Sequence, residues 1–466
     1  MLGAGLGGLA SAALLARAGH DVTLLEKNEW IGGKSRRIEV AGQRIDTGPS
    51  LVTFPGALRA VLDQFDALGP TGSRTADEIA PLQLERLPEV GRYFFHGDAA
   101  NLPVERAHAW HDAWERFERE QGGLGEAITT LLTSDPWSNR IMPASAQLFR
   151  KYGTNLSTDK YLRGLEWMPE PLREVISIHT LNAGVAPSRT LALFATMPAV
   201  MATDGVWVPR GGVNEIPQAF AALARDAGVD VRLGEAARRV RRGVVETDRA
   251  TYAADVVVSG LDAGVLEGLL GARQPTPRNL SCSGIATFTV FDEELPDEVV
   301  THSVIMPDDP AELFDAIREK RLPKQSMAFL NYYRAGHIYE NAKPTAAILL
   351  TAPPDGNRYD LDHPWVRGEF ARITDVMRLP KPLREYIVDH EVLHPEYFAS
   401  FGATGGALYG EGHPWWQSGP FHRPAYNSIR RPWLWRVGAS VHPGGGIPAV
   451  LGGALIATNR LLSRLG

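Results

Sequence analysis

Met1-Leu-Gly3-Ala-Gly5-Leu-Gly-Gly8 opens the chain, and a helical run follows from Leu9 to Ala18. Gly19-His20 closes that helix, and Asp21-Val-Thr-Leu-Leu25 reads as a short strand ending on Glu26. Loop, helix and strand in that order are parts of a βαβ unit. Gly3 permits the tight turn, Gly5 lets a pyrophosphate approach the backbone, and Gly8 lets helix and strand pack closely. The free N–H groups and positive dipole end of the helix then favour the phosphate. Glu26 ends the next strand, where a carboxylate accepts hydrogen bonds from ribose hydroxyls. Together these features point to a dinucleotide; a glycine-rich turn beside a surface glutamate is the plainer alternative.

Only Met1 and Leu2 precede the first glycine, whereas the central strand of such a unit is normally an apolar run of about five residues. The expectation is a start assigned a few residues late, with another strand or a partner chain filling the gap as the alternative. A chain extended by several apolar residues should then bind its dinucleotide more tightly.

Further along, Glu26-Lys27-Asn-Glu-Trp-Ile-Gly-Gly33-Lys34 follows the second strand directly, and its glycine pair lets a second loop close over cofactor phosphates. Asp46-Thr-Gly48-Pro49-Ser50 is a further turn. Val206-Trp-Val-Pro-Arg-Gly-Gly-Val-Asn-Glu-Ile-Pro217 introduces a second α/β stretch, with a helix from about Glu215 to Ala227 closed by Gly228. Strands are expected at Val229–Leu233, Arg239–Val245 and Val256–Ser259, the last running into Gly-Leu-Asp262. The tail reads as strand, glycine loop and helix: Arg436-Val-Gly438-Ala-Ser-Val-His442-Pro-Gly444-Gly-Gly446-Ile447-Pro448, with the helix running on to Leu465. Three adjacent glycines let a flat ring lie against backbone, and the helix beyond them aims its N–H groups at that ring. Pro448 in the first turn costs no hydrogen bond.

These stretches resemble the flavin-containing amine oxidase and desaturase superfamily, and the tail resembles carotenoid desaturases of the phytoene desaturase type. The likeness is collinear over nearly the whole chain. It implies FAD, held by Gly3, Gly5, Gly8, Glu26, Lys27, Gly33, Lys34, Gly48, Pro49, Ser50, Gly438, Gly446, Ile447 and Pro448, and Cys282, far in sequence from these loops, argues for non-covalent binding. It also implies a valine whose backbone holds the adenine: Val240, or else Val244 or Val245. The fold expected is mixed α/β. A Rossmann-like FAD-binding domain is assembled from residues 1–74, 205–272 and 422–466. A discontinuous substrate domain with a mixed sheet and helices takes 75–204 and 273–421.

The substrate implied is a long apolar carotenoid, from which a hydride equivalent passes to the flavin and a proton to a base. No catalytic residue is assigned. Asp159 and Arg163 are candidates better read as surface residues, and His442 is better read as support for its loop. Leu191, Phe194, Met197, Val200 and Met201 have helical spacing and could face a polyene, though a core helix is the better reading of that stretch by itself. Trp415-Trp416 beside Pro414 could mark a tunnel mouth or a membrane surface. Within the family, Gly33-Lys34-Ser35-Arg36 and Glu39–Asp46 lean towards hydroxy- or methoxycarotenoid 3,4-desaturases over phytoene desaturases proper. An amine or protoporphyrinogen oxidase, or a non-enzymatic carotenoid escort, are the rival readings.

Composition sets the outer bounds. With 466 residues, 44% of them hydrophobic and 22% charged, the chain has the balance of a folded protein of two or three domains. A net charge of −6 argues against nucleic acid as a partner. A single cysteine, Cys282, excludes a disulfide framework or cysteine-built metal site and fits a reducing cytoplasm; no metal is expected. With no run of about 18 apolar residues, the expectation is a cytoplasmic protein peripheral to the membrane. Electron acceptors such as oxygen or a quinone leave no readable motif.

Overall fold

The computed structural model describes residues 1–272, 277, 279–412 and 415–466. Pro414 therefore lies outside the described residues.

Leu2 holds the centre of a parallel sheet. It bridges Leu25 on one side and Ser259 on the other. Its N–H donates to Val258 O at 2.9 Å, Gly3 N–H to Leu25 O at 2.8 Å and Gly260 N–H to Leu2 O at 2.8 Å. The central position is thus taken by the first residues themselves, not by another strand. Outward from Leu2 lie Thr23–Leu25 and then Asp230–Arg232; on the other flank lie Val257–Ser259 and Arg431–Arg436, all parallel. Asn427–Ser428 closes that edge antiparallel. Strands distant in sequence therefore share one sheet.

The helix Leu6–Arg17 is buried from Leu6 to Ala16. It packs against the helices Glu215–Asp226, Ile447–Leu465 and Pro55–Leu68. A helix apolar on all sides needs cover on all sides, and Leu9, Ala10, Ala12, Ala13 and Leu14 supply that surface. The expected single strand over 239–245 is instead a hairpin: Ala237–Arg241 and Gly243–Thr247 pair antiparallel, and Thr251–Ala254 adds a third strand. Gly243, at φ +79°, takes the turn that a side chain would oppose.

The second sheet has seven strands, in the order Ile387–Leu393, Ser283–Phe291, Thr345–Ala352, Ala328–Tyr333, His302–Ile305, Gly91–Phe95, Asp98–Leu102. Neighbours are antiparallel except His302–Ile305 with Gly91–Phe95, which run parallel. Alternation divides its residues. Ile285, Leu330, Ile348, Leu350 and Ile305 pack under the helix Pro364–Val376 through Val366, Phe370 and Ile373. Tyr93, Ala286, Phe288, His302, Phe329, Asn331, Ala347 and Leu349 face a large cavity on the other side. Helices between His111 and Asp204 cover that cavity. The apolar stretch expected as one core helix over 190–201 is a 3-10 turn, Ala192–Thr196, followed by the helix Met197–Asp204. Pro198 explains the break, since proline suits only a first helical turn.

Candidate active site

The cavity measures about 1350 Å³, larger than the roughly 300–1,000 Å³ usual for one small ligand. One end is made of glycine loops. Gly3, Gly5, Glu26, Lys27, Gly33 and Lys34 line it, as do Gly48, Pro49 and Ser50 from the next turn. Gly438, Gly446, Ile447 and Pro448 from the tail complete it. Sequence positions more than 400 apart thus meet around one space.

Two helices begin there. Leu6–Arg17 starts after Gly5 and Ile447–Leu465 after Gly446, and neither has a side-chain cap. Their free N–H groups and positive dipole ends face the cavity, as an anionic or electron-rich ligand requires. A Cβ at Gly5 or Gly446 would meet nothing within 4 Å; the space in front of these residues is open. At Gly8 the reverse holds: a Cβ would come closer than 3.0 Å to the Gly3 carbonyl oxygen. Gly8 does not line the cavity; it lets the helix touch the turn. Gly33 brings its loop against Gly5, where a Cβ would lie 3.1 Å from Gly5 Cα.

Glu26 is buried, and its carboxylate accepts from Ala4 N–H at 2.8 Å and from Asn28 N–H and Nδ2 at 2.9 and 2.8 Å. Those bonds fix the group at the cavity wall. Lys27 donates to Ser400 O at 2.8 Å. Lys34 donates to Leu408 O at 2.6 Å, and burial pushes its ammonium down to about 8 while Asp262 pulls the other way. The loop carrying Gly48 is tied to the Pro209–Val213 turn. Arg37 pairs with Asp46 at 2.7 Å, reaches Glu215 at 2.9 Å and donates to Gly211 O, and Asp46 accepts from Asn214 N–H at 2.8 Å.

Val240 is not among the residues that line the cavity. Its side chain is buried with Leu2, Leu25, Val245 and Leu434 in a core cluster. The backbone that lines the cavity there is Glu235 to Arg238; Val244 and Val245 do not line it either. Asp159 and Arg163 form an i,i+4 ion pair at 2.9 Å on the protein surface. Leu191, Phe194, Met197 and Met201 line the cavity, whereas Val200 is core. Trp415 and Trp416 also line it, beside Pro420 and Phe421.

His442 lines the cavity too, with Nε2 buried and lacking a hydrogen-bond partner among the described residues. Burial and nearby Arg460 push its imidazole down to about 4, so it is neutral at physiological pH. Cys282 is buried away from the lining, and its thiol is pushed up to about 12. The sequence reading missed Tyr93, His179, His302 and Asn331, which bring buried polar atoms to a mostly apolar wall.

Residues 6–340 match the family model of flavin containing amine oxidoreductases. The chain is 30% identical to a hydroxyneurosporene desaturase of Rubrivivax gelatinosus, with 100% of this chain and 93% of that protein covered. It is 27% identical to a zeta-carotene-forming phytoene desaturase of Myxococcus xanthus, covering 99% and 93%. Among solved structures, putrescine oxidase bound to putrescine matches with a TM-score of 0.64 at 15% identity, covering 100% and 97%. A fatty acid isomerase from P. acnes matches at 0.56 and 16%, covering 99% and 97%. The chain belongs to the flavin containing amine oxidoreductase family, within its group of carotenoid desaturases. It is an oxidoreductase with FAD as its cofactor. The two uncapped helix ends, the open space before Gly5 and Gly446 and the buried Glu26 are what that cofactor needs.

Proposed function

We propose that this enzyme introduces C=C double bonds into an acyclic carotenoid, with a lean to 1-hydroxy- or methoxycarotenoid 3,4-desaturation over phytoene desaturation. The observation that carries this reading is the continuity of the cavity. Phe288, Phe329, Leu191, Phe194, Met197 and Met201 extend it as an apolar sleeve away from the glycine loops. Bound FAD supplies the acceptor for the hydride equivalent that desaturation removes. The residues of this chain hold and shield. The N-termini at Leu6 and Ile447 stabilise negative charge placed before them. Glu26 takes ribose hydroxyls, and Lys27, Lys34, Gly48, Pro49, Ser50 and Gly438 shape the wall. The apolar sleeve excludes water from a hydrocarbon that offers it no hydrogen bonds. The buried, weakly acidic Cys282 gives no thiolate for covalent attachment, which supports dissociable FAD.

We assign the FAD-binding domain to 1–74, 205–272 and 422–466 and the substrate domain to the rest; the parallel sheet around Leu2 supports the first grouping and the seven-stranded sheet the second. Peripheral membrane contact is part of the same reading. No helix among the described residues is long and apolar enough to cross a membrane. Trp416 and Phe421, 55% and 63% exposed, stand on the lining of the cavity, and Trp137, Met142 and Phe149 are exposed on the neighbouring 137–149 stretch. Apolar side chains at a cavity mouth suit a substrate drawn from a bilayer.

The test is expression in hosts that accumulate phytoene, neurosporene or their 1-hydroxylated forms, with pigments separated by chromatography. New conjugation in the hydroxylated pool supports the lean. New conjugation from phytoene alone would move the enzyme to the phytoene desaturases, and no change in any pool would sink the carotenoid reading.

A further inference from the structure

Four buried polar side chains sit on a sleeve wall that is mostly apolar. His302 and Asn331 occupy directly opposed positions on neighbouring strands, and His302 Nδ1 lies 2.7 Å from Asn331 Oδ1. The imidazole is stacked on Phe329 at 5.3 Å between ring centres. Gly91, across the parallel strand, makes room: a Cβ there would lie 2.8 Å from His302 Cδ2. Beside this pair, Tyr93 OH and His179 Nε2 are 2.9 Å apart. All four residues are buried, and all four line the cavity.

The hydrogen bonding of the pair is incomplete in a specific way. With Asn331 Oδ1 as the acceptor, His302 carries its proton on Nδ1 and presents a lone pair at Nε2. Asn331 keeps its NH2 group as a donor. Neither His302 Nε2 nor Asn331 Nδ2 has a hydrogen-bond partner among the described residues. One acceptor and one donor therefore remain side by side on the wall of an apolar cavity. A hydroxyl is both donor and acceptor, an ether oxygen only accepts, and a hydrocarbon does neither. Charge points the same way. Burial pushes His302 down to about 4 and His179 to about 3, so the cluster is neutral and suits an uncharged oxygen better than an anion.

We propose that His302 and Asn331, supported by Tyr93 and His179, bind a hydroxyl group carried by the otherwise apolar substrate and so set the enzyme's preference for an oxygenated end group. This rests on the carotenoid-desaturase reading above and supplies a residue-level cause for its lean. Leaving a buried donor and acceptor unpaired disfavours the hydrocarbon, an effect worth ~10- to 100-fold in kcat/KM.

The experiment uses the flavin-loaded enzyme with acyclic carotenoids in liposomes, identical except for hydroxyl, methoxy or hydrogen at C-1. The expected order in kcat/KM is hydroxyl first, methoxy second and hydrocarbon last. Asn331→Leu and His302→Phe should bring the hydroxyl-to-hydrocarbon ratio to within about threefold, with the flavin spectrum marking a folded protein. His302→Gln, which restores an acceptor, should recover part of the preference. The unmutated enzyme decides even if a variant fails to fold. Equal turnover of the three substrates, or preference for the hydrocarbon, overturns the proposal and leaves the desaturase reading intact. Turnover of none of them overturns both.

Discussion

Gly5 and Gly8 are three residues apart in the phosphate loop, yet alanine should act on them through different states of the protein. At Gly5 the backbone sits at φ −69°, ψ 169°, which any residue adopts, and a Cβ would meet nothing within 4 Å. Alanine there leaves the cofactor-free protein nearly untouched. Its modest cost as an N-cap is offset by lost freedom of the unfolded chain, each about 0.5–1 kcal/mol. The methyl group does occupy space that the pyrophosphate needs, so FAD affinity should fall at least ~10-fold, about 1.4 kcal/mol. At Gly8 the Cβ would come within 3.0 Å of a main-chain oxygen of Gly3. Backbone cannot rotate away as a side chain does, so the helix must lift from the turn. Overpacking of that kind costs ~1–3 kcal/mol and lowers the Tm of the cofactor-free protein by a few degrees. Both variants should lose FAD, but only Gly8→Ala should also lose stability without it. The assay pairs thermal melts of the cofactor-free protein with fluorescence titration of FAD. Wild-type affinity in Gly5→Ala, or equal melting of the two cofactor-free variants, would refute the assignment of open space to one glycine and backbone contact to the other.

Other expectations follow from the same geometry. Glu26→Gln leaves one oxygen to serve Ala4 N–H and Asn28, so one buried donor goes unpaired at about 1–3 kcal/mol; FAD titration should show weaker binding, and unchanged affinity would count against Glu26. The depressed imidazoles of His179, His302 and His442 bind fewer protons folded than unfolded below pH 6.5, so stability should fall as pH drops from 6.5 towards 4. Each contributes up to ~1.4 kcal/mol per pH unit, and His302→Phe should flatten the melting profile over that window. Trp416→Ser with Phe421→Ser should lower co-sedimentation with liposomes by ~10-fold or more, since each removes an exposed aromatic worth ~1.5–3 kcal/mol when buried; undiminished binding would place the membrane face elsewhere.

The parts of the site legible in the sequence are those made of backbone. Gly3, Gly5, Gly8, Gly33 and the tail from Gly438 to Pro448 are readable because turns and close approaches admit few residue types, and their spacing is fixed by strand and helix geometry. The helix Ile447–Leu465 announces itself through Pro448 and the glycines before it. Val240 is less legible, for the opposite reason. A valine in a short β run carries no mark of which face it takes, and the turn at Gly243 split the expected strand and set Val240 into the core. The central strand is as short in the sheet as along the chain. In the sheet, Leu2 alone bridges both neighbours, with the Leu25 and Val258 carbonyls accepting from Gly3 and Leu2.

His302 and Asn331 show a deeper limit. Each is a polar residue of a short strand, His302 between Thr301 and Ser303 and Asn331 between Leu330 and Tyr332, and polar strand residues normally mark a face turned to water. Nothing local distinguishes that case from a face turned to an enclosed cavity. The difference arises only when the seven strands are ordered and the segment between His111 and Asp204 closes over them. Enclosure also changes what the polarity means. On a solvated face these groups would cost nothing and select nothing, because water satisfies them. In the cavity their unmet donor and acceptor act on whatever replaces water there. The glycine loops therefore identify the cofactor from sequence, while selectivity for the substrate depends on which strand faces the fold encloses. Relatives with the same loops but different residues opposite one another at these two sheet positions should differ in end-group preference while binding FAD alike.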